Sequence, residues 1–272
     1  MKPYILLLQF IILFGFFPPL LNAQQGKITY RAYSGKLAIA SPANENGYPN
    51  EYEIEKATLF FKESKSLYIQ EQNKVNVQYI SGPNGTERIE VPRNNLDPYG
   101  TVLHLNFLSG EQFSRESFWN KSTFVNIQEE ILPIDWRITN EKKKIGKFNC
   151  IKATANILGR EWEAWFSPEL QVPFGPWRLN GLPGLILEAY DSTLDFIYHL
   201  AEVEIPHDFN PTIEVENVFS GKLLSRSEFL NENATKKEKY ISYMKSVALE
   251  NDGKVEVKFY PQIDLSTQAT KK

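Results

Sequence analysis

One stretch of this chain limits its fold more than any other. Residues 175–188 read GPWRLNGLPGLILE and combine two Gly/Pro corners, a Trp-Arg pair and an apolar run. Because proline fixes φ at about −65° and glycine accepts a positive φ, residues 182–185 fit a type II turn with Pro183 second and Gly184 third. The apolar run at 185–187 predicts a strand that is buried on both sides. We therefore expect an architectural corner, in which a rigid turn leads into a buried strand.

Short β-type segments separated by turn residues fill most of the remaining chain. Period-two or uniformly apolar patterns bounded by Gly, Pro, Asn and Ser predict strands. They fall at 27–39, 57–62, 67–70, 75–80, 88–91, 101–107, 131–139, 148–158, 161–167, 185–191, 194–205 and 255–260. Strands in series with hairpin-like connections predict a mainly β fold, a curved antiparallel sheet or incomplete barrel. No repeat or linker divides residues 24–272, so we expect a single domain.

Helices are expected at only two places. Two Ser/Thr-x-x-Glu/Gln patterns resemble capping boxes, at Ser109/Gln112 and Thr235/Glu238. The first predicts a short helix within 109–120. The second precedes an apolar repeat at helical spacing that residues 251–253 end, which predicts an amphipathic helix near the C-terminus.

The first 23 residues have the layout of a cleavable secretory signal. Lys2 supplies a positive charge, residues 5–21 are almost wholly apolar, and Ala23 ends the run with a small side chain. A membrane anchor is the alternative, but Pro18 and Pro19 disfavour a continuous helix there. No cysteine follows Ala23, which argues against a lipid anchor. We expect an exported protein, either in the periplasm, associated with the outer membrane, or secreted.

Charge and cysteine content exclude some classes of function. The formal net charge is −3, and loss of the single charge of Lys2 with the signal makes it −4. Such a chain lacks the basic footprint of a nucleic-acid-binding protein. We interpret the lysines at 142–144 as a solvated loop between strands. The single cysteine, Cys150, excludes an internal disulfide and predicts a buried core thiol rather than a nucleophile.

Several motifs in the middle of the chain occur together in one known family. They are Trp136-Arg137-Ile138-Thr139, residues 144–153 (KIGKFNCIKA), Gly159-Arg160, Ala164-Trp165-Phe166, Gly175-Pro176-Trp177 and Gly181-Leu182-Pro183-Gly184-Leu185-Ile186. The segment at 131–191 resembles the GLPGLI family, which is named after the last of these motifs. The resemblance implies a β-rich exported protein of Gram-negative bacteria and supplies no catalytic residue. The strand order also looks like the incomplete β-barrels of LolA-like lipoprotein carriers, an analogy of fold alone.

Motifs for metal, nucleophilic or phosphate chemistry are missing from the sequence. The histidines lack the spacing of metal ligands, at His104, His199 and His207. There is no Gly-x-Ser-x-Gly elbow and no Gly-rich phosphate cradle, so we expect neither a metal nor a cofactor. Carboxylates are the catalytic alternative, since Glu161 and Glu163 share a strand face and Asp191 follows at a turn. A hydrolase would need them to converge in a cleft with raised pKa values.

Aromatic side chains near the connection 167–184 are better candidates for a functional site. Alternation along the preceding strand places Trp162 on one face and Trp165 on the other, together with Glu163. Four prolines stiffen the connection, so its apolar side chains either cap an open end of the barrel or form one wall of an apolar ligand site. The candidate ligand-binding residues are Trp165, Phe174, Trp177, Arg178 and Leu182.

The leading hypothesis is a non-enzymatic, exported β-sheet module that binds or carries an apolar small molecule or an envelope protein. The alternatives are a carboxylate-dependent hydrolase and a structural subunit of an envelope assembly, which a large exposed apolar patch would support. We expect no nucleic-acid partner. We also expect no transmembrane segment after signal cleavage, because no later segment has the ~20 apolar residues that spanning requires.

Overall fold

The computed structural model describes residues 25–34, 53–71, 75–82, 85–92, 99–118, 123–208, 215 and 218–250. Their strands and long helix are β1 Gln25–Ser34, β2 Glu53–Lys62, β3 Lys65–Gln70, β4 Val75–Gly82, β5 Gly85–Pro92, β6 Thr101–Asn106, β7 Glu111–Ser117, β8 Phe124–Glu130, β9 Arg137–Ile145, β10 Phe148–Ile157, β11 Arg160–Ser167, β12 Leu185–Asp191, β13 Phe196–Glu204, β14 Leu223–Ser225 and α1 Arg226–Glu250. The predicted signal peptide at 1–23, helix end at 251–253 and strand at 255–260 lie outside the described residues.

Twelve of the strands form one open sheet. Its order is β14-β8-β7-β6-β3-β2-β1-β13-β12-β11-β10-β9, and β4 and β5 form a separate hairpin. Neighbouring strands are antiparallel, except for the parallel pair of β14 and β8. This architecture confirms the prediction of a mainly β fold built on an antiparallel sheet.

The connection between β8 and β9 requires the sheet to be strongly curled. In strand order β9 lies ten places from β8. At about 4.8 Å per place, a flat sheet would separate them by about 48 Å. Only residues 131–136 join the two strands, and fully extended they span at most about 25 Å. The two arms of the sheet must therefore bend towards each other around one interior.

The inner face of the curled sheet carries the main hydrophobic core. On β11, Trp162 and Phe166 are buried in this core, as strand alternation predicts. Residues 185–187 of β12 are 0% exposed, which confirms the strand buried on both sides. A smaller core on the outer face joins Leu67 and Val102 to Val218.

The Gly-Leu-Pro-Gly-Leu-Ile corner forms with a different turn from the predicted one. A type II turn needs a positive φ at Gly184, which Gly184 does not adopt, so that prediction is wrong. The N–H of Gly184 instead donates to the carbonyl of Leu182 at 2.8 Å, which closes a γ-type turn. The left-handed residue is Gly181, at φ +89°. Gly184 is required for close approach, since a Cβ there would lie 2.3 Å from the carbonyl oxygen of Ser167.

The predicted short helix within 109–120 is wrong, because most of this segment forms β7 in antiparallel pairing with β6. Between the two strands, Asn106 Oδ1 accepts the N–H of Leu108 at 3.0 Å, and Gly110 adopts φ +72°. These residues close a tight turn that returns the chain along β6. The Ser/Gln spacing therefore belongs to a turn and a strand rather than to a helix cap.

The basic run at 142–144 lies in β9 and not in a loop, so that interpretation is wrong. The predicted strand at 131–139 is irregular up to residue 136, and β9 begins at Arg137. β9 is an edge strand of the sheet. Lysines on an edge strand discourage pairing with the strands of other chains, which gives this run a structural reason.

The helix α1 begins at Arg226, nine residues before the predicted start at Thr235. A reciprocal capping box fixes this start. The N–H of Glu228 donates to Ser225 Oγ at 3.2 Å, and the N–H of Ser225 donates to Glu228 Oε2 at 2.7 Å. Phe229 then anchors the first turns by stacking on Phe118 at 5.4 Å. Within the described residues, no helix has both the length and the hydrophobicity needed to cross a bilayer.

Candidate functional site

The connection between β11 and β12, residues 168–184, passes through the interior of the sheet, and we call it the interior loop. Phe174 packs against Phe61, with ring centroids 6.0 Å apart, and Trp177 stacks on Trp162 at 6.3 Å. Strand register places Phe61 and Trp162 towards opposite ends of the sheet. The loop therefore crosses the interior from one end to the other.

Most of the predicted ligand-binding residues of this loop are buried. Phe174 is 0% exposed, Leu182 1% and Arg178 7%, whereas Trp177 is partly exposed. Hydrogen bonds pin the loop to the start of β12, including one from the N–H of Ile186 to the carbonyl of Phe174 at 3.0 Å. This burial agrees with the capping alternative, and a role in ligand binding stays a prediction.

The apex of the interior loop has a strained backbone. Trp177 adopts φ +50°, a left-handed conformation that is rare for bulky residues and costs roughly 1–2 kcal/mol. Its ring belongs to a stack in which Trp162 lies 6.3 Å from both Trp177 and Tyr198. The guanidinium of Arg178 lies 5.6 Å from the centre of the Trp177 ring. Stacking and the cation–π contact together hold the apex in this conformation.

Beside the apex, two arginines and two glutamates form what we call the inner ion cluster. Its members are Glu116 of β7, Glu129 of β8, Arg178 of the interior loop and Arg226 of α1. Arg178 Nη2 donates to one oxygen of each glutamate at 2.6 Å. Arg226 donates to Glu116 at 2.8 Å and, through Nε, to Glu129 at 3.1 Å. The four side chains are 8–14% exposed, so the cluster joins the loop, the sheet and the helix out of water.

Both glutamates of the inner ion cluster are ionised at neutral pH. Burial alone would raise the pKa of Glu116, but the two guanidiniums outweigh it and hold that pKa well below its usual range. The pKa of Glu129 is lowered by the same balance of burial and arginine contacts. Two positive and two negative charges therefore cancel within the cluster.

Three buried polar atoms at the interior loop lack a hydrogen-bond partner among the described residues. They are Trp162 Nε1 beneath the apex, Ser167 Oγ at the base of the loop and Arg178 Nε. Trp162 is 1% and Ser167 0% exposed. Most buried polar groups in proteins are satisfied, so three exceptions around one loop need an explanation.

Trp165, the remaining candidate, lies on the outer face of β11 with Glu163, as alternation predicts. Glu163 accepts hydrogen bonds from Trp165 Nε1 at 2.9 Å and from the hydroxyl of Tyr190, and it pairs with Lys152 at 2.7 Å. The ammonium of Lys143 lies 4.3 Å from the centre of the Trp165 ring. We call these five residues the outer network. It joins β9, β10, β11 and β12 and does not contact the interior loop through any of these bonds.

The candidate catalytic carboxylates do not converge. Glu161 is exposed, Glu163 lies on the outer face, and Asp191 is buried beside Trp162 on the inner face. Asp191 is bound by Arg160 at 2.7 Å. Burial would raise the pKa of Glu163, but hydrogen bonds from Lys152 and its neighbours outweigh it, so that pKa is lowered. The convergence and the raised pKa that a hydrolase would need are therefore not found at these positions.

Metal-ligating groups and the thiol of Cys150 were the other candidates for chemistry. Within the described ranges, no three His, Cys, Asp or Glu side chains are grouped so as to hold a metal ion. Cys150 is buried, and burial raises the pKa of its thiol to about 11, so it is protonated at neutral pH. Its position agrees with the predicted core thiol.

Sequence reasoning missed four members of this region: Ser114, Glu116, Glu129 and Arg226. They come from strands and a helix start that are 49 to 112 residues from their partners in the chain. One signal was available, because the Ser225/Glu228 capping box would have placed Arg226 at the start of the helix. Nothing local to Glu116 or Glu129 distinguishes them from glutamates on a solvated strand.

Comparison with known proteins bears on the fold alone. No protein-family model and no curated protein matches the chain. Among solved structures, PNGF-II in the C2 space group has a TM-score of 0.50 and 19% identity over 78% of this chain. PNGF-II in the P21 space group has a TM-score of 0.47 and 17% identity over 75% of it. The chain spans about a third of the length of those proteins, 33% and 32%. Identity this low indicates a related fold and says nothing about activity.

Proposed function

We propose that this chain is an exported β-sheet binding module whose ligand is an apolar molecule, and that the interior loop occupies the ligand's place in the free protein. The GLPGLI resemblance and the signal-like N-terminus support export. The curled open sheet supports binding, because it surrounds an interior that one removable segment fills. The loop is the segment that would move.

The observation that carries the proposal is the concentration of unfavourable features in the interior loop and in the part of β11 beside it. Each buried polar atom without a partner costs roughly 1–3 kcal/mol. Trp162 Nε1, Ser167 Oγ and Arg178 Nε are three such atoms, and the left-handed Trp177 adds its own strain. Because these costs apply to the closed position of the interior loop, the loop should leave that position more easily than the neighbouring strands separate.

Apolar burial explains why the loop would leave only in exchange for a ligand. Phe174, Leu179 and Leu182 are 0–1% exposed, and burying a side chain of this kind contributes about 1.5–3 kcal/mol. Withdrawal of the loop without replacement would lose that contribution. An apolar ligand offsets part of that loss by burying its own surface against the same inner face, so it binds the open state in preference to the closed one.

Hydrogen exchange combined with mass spectrometry tests the moving loop. We expect amides at 168–184 to exchange faster than those of β11 and β12 in the free protein, although several are hydrogen-bonded and buried. Equal protection of the loop and β12 would overturn the proposal. Lys152→Met, a change in the outer network, is the matched control and should leave loop exchange unchanged.

Ligand recovery tests the binding itself. The protein is purified from its native compartment, extracted with organic solvent and examined for bound molecules by mass spectrometry. We expect an apolar molecule in near-stoichiometric amount. Arg178→Met removes the bonds that hold the loop to Glu116 and Glu129, so it should favour the open state and raise the ligand's occupancy. Repeated recovery of empty protein that also fails to bind the apolar dye N-phenyl-1-naphthylamine would refute the proposed function.

A further inference from the structure

The unpartnered atoms at the interior loop also specify the chemistry of a ligand. Trp162 Nε1 and Arg178 Nε are hydrogen-bond donors only, and Ser167 Oγ can donate. All three are nine-tenths buried or more. Of the three, Trp162 lies on the inner face of β11, which stays in place when the interior loop withdraws. A molecule that satisfies its N–H must bring a hydrogen-bond acceptor to the inner face, which a pure hydrocarbon cannot do.

The charges around these donors exclude a strongly charged ligand. The inner ion cluster already balances two guanidiniums with two carboxylates. Near Trp162, the single cation Arg160 contacts both Asp191 and Asp195, which leaves an excess of one negative charge. An anionic head group would meet this excess without a free cation among these groups, and a cation would need to compete with Arg178 or Arg226 for their carboxylates. Burying an uncompensated charge is costly, so an uncharged acceptor fits best.

The aromatic stack sets the shape of the ligand's body. Trp177, Trp162 and Tyr198 present nearly parallel rings, with interplanar angles of 25° and 18°. Next to them Tyr30 donates its hydroxyl to the carbonyl of Ile186 at 2.7 Å and is fully buried, so it offers no further donor. Aromatic rings thus line this part of the interior, with the Arg160–Asp191 pair beside them.

We propose that the ligand is an uncharged amphiphile, with an apolar body on the inner face and an ester, amide or hydroxyl oxygen that accepts a hydrogen bond from Trp162 Nε1. This inference rests on the proposed binding function and names the class of molecule bound. The head group is selected by the indole N–H that the closed loop leaves unsatisfied, and the body by the apolar inner face that the loop uncovers.

A set of probes with one chain length tests the selection. Monolauroylglycerol is the uncharged ester, dodecanoate the anion and dodecylammonium the cation, each used below its micellar concentration. Displacement of N-phenyl-1-naphthylamine from the full chain reports binding, and this dye lacks an oxygen acceptor. We expect monolauroylglycerol to bind at least about tenfold more tightly than either charged probe, since one well-made buried hydrogen bond is worth about that factor.

Trp162→Phe removes the indole N–H and keeps an aromatic ring. We expect it to weaken monolauroylglycerol binding about tenfold and to leave dye binding within about twofold. Should Trp162→Phe not fold, the preference of the unaltered protein for the ester over the two charged probes remains the test. Dye binding without preference for the ester, or an unchanged ester affinity in a folded variant, would refute this inference alone. Failure of the dye and all three probes to bind would refute the proposed function itself.

Discussion

The inner ion cluster and the outer network use the same chemical groups for different purposes. In the inner ion cluster, side chains that are 8–14% exposed join β7, β8, the interior loop and α1. In the outer network, contacts such as Lys152 with Glu163 connect neighbouring strands, and these two side chains are 18% and 21% exposed. The first holds together parts of the chain that strand pairing does not join. The second only reinforces pairing that the backbone already fixes.

The difference shows where charge has structural weight in this fold. Removing one partner of a buried cluster leaves an uncompensated charge in a low-dielectric interior, whereas an outer-face charge regains water. In this cluster, Arg226 of α1 and Arg178 of the interior loop bind the same carboxylate, that of Glu116. Loss of an inner arginine should therefore affect the loop, the helix and the sheet together.

The largest expected effect follows from removing one inner arginine. Arg226→Met keeps part of the aliphatic stem but leaves Glu116 and Glu129 with one guanidinium between them. We expect a loss of about 3–5 kcal/mol in the free energy of unfolding, measured by urea denaturation. Lys152→Met in the outer network is the matched variant, with an expected loss of about 1 kcal/mol or less. Equal losses would remove the distinction between the two networks.

A backbone contact on the inner side should matter nearly as much. Gly184→Ala would place a methyl group 2.3 Å from the carbonyl oxygen of Ser167, so the base of the interior loop must shift. We expect about 3 kcal/mol of destabilisation. Gly181→Ala is the control, because no atom lies within 4 Å of its added Cβ and only its φ of +89° is unfavourable. It should cost about 1 kcal/mol, and the reverse order would contradict the role assigned to Gly184.

On the outer face, the buried His104 of β6 should make the free energy of unfolding depend on pH. Burial and the nearby Lys65 lower the pKa of His104 to about 4 from an ordinary value of 6.5. The unfolded chain therefore takes up the proton first as pH falls. The contribution of neutral His104 to the free energy of unfolding is fully present above about pH 6.5. It should fall by about 2–3 kcal/mol towards pH 4.

Denaturation at a series of pH values checks this window, and His104→Gln should flatten it. Loss of the inner glutamates' charge is not expected to contribute here, because their lowered pKa values place that effect at more acidic pH. A slope that survives His104→Gln would count against this assignment.

The smallest expected effect lies within the outer network. Tyr190→Phe removes the hydroxyl that donates to Glu163 and leaves the ring in place. Glu163 keeps Lys152 and Trp165 as partners, so the expected loss is about 1 kcal/mol. Thermal unfolding should show a shift of a few degrees. A loss as large as that of Arg226→Met would mean that the outer network, too, holds distant elements together.

The fold was largely readable from the sequence because its signals are local. Alternation around Trp162 and Trp165 gave the two faces of β11 correctly, and the apolar run at 185–187 gave a buried strand. Each failed prediction has an identifiable cause. The Ser109/Gln112 spacing imitates a helix cap, and tertiary pairing with β6 overrides it. The helix start at Arg226 was missed although the Ser225/Glu228 box marks it.

The candidate site was readable only in part, because its defining contacts are not local. Phe174, Trp177, Arg178 and Leu182 could be singled out from a proline-stiffened connection between strands. Glu116 could not, since its meaning depends on an arginine 62 residues further along the chain. Unsatisfied donors such as Trp162 Nε1 are invisible in a sequence, because only coordinates show which groups have no partner.

The position of β1 has a consequence for the time course of folding. β1 lies in the middle of the sheet between β2 and β13, and Lys27 meets Glu204 at a separation of 177 residues. The second neighbour of β1 therefore exists only after β13, Phe196–Glu204 in a chain of 272 residues, has been made. Pairing between strands so far apart in the chain slows folding. Until β13 is present, one edge of β1 carries unpaired backbone N–H and C=O groups.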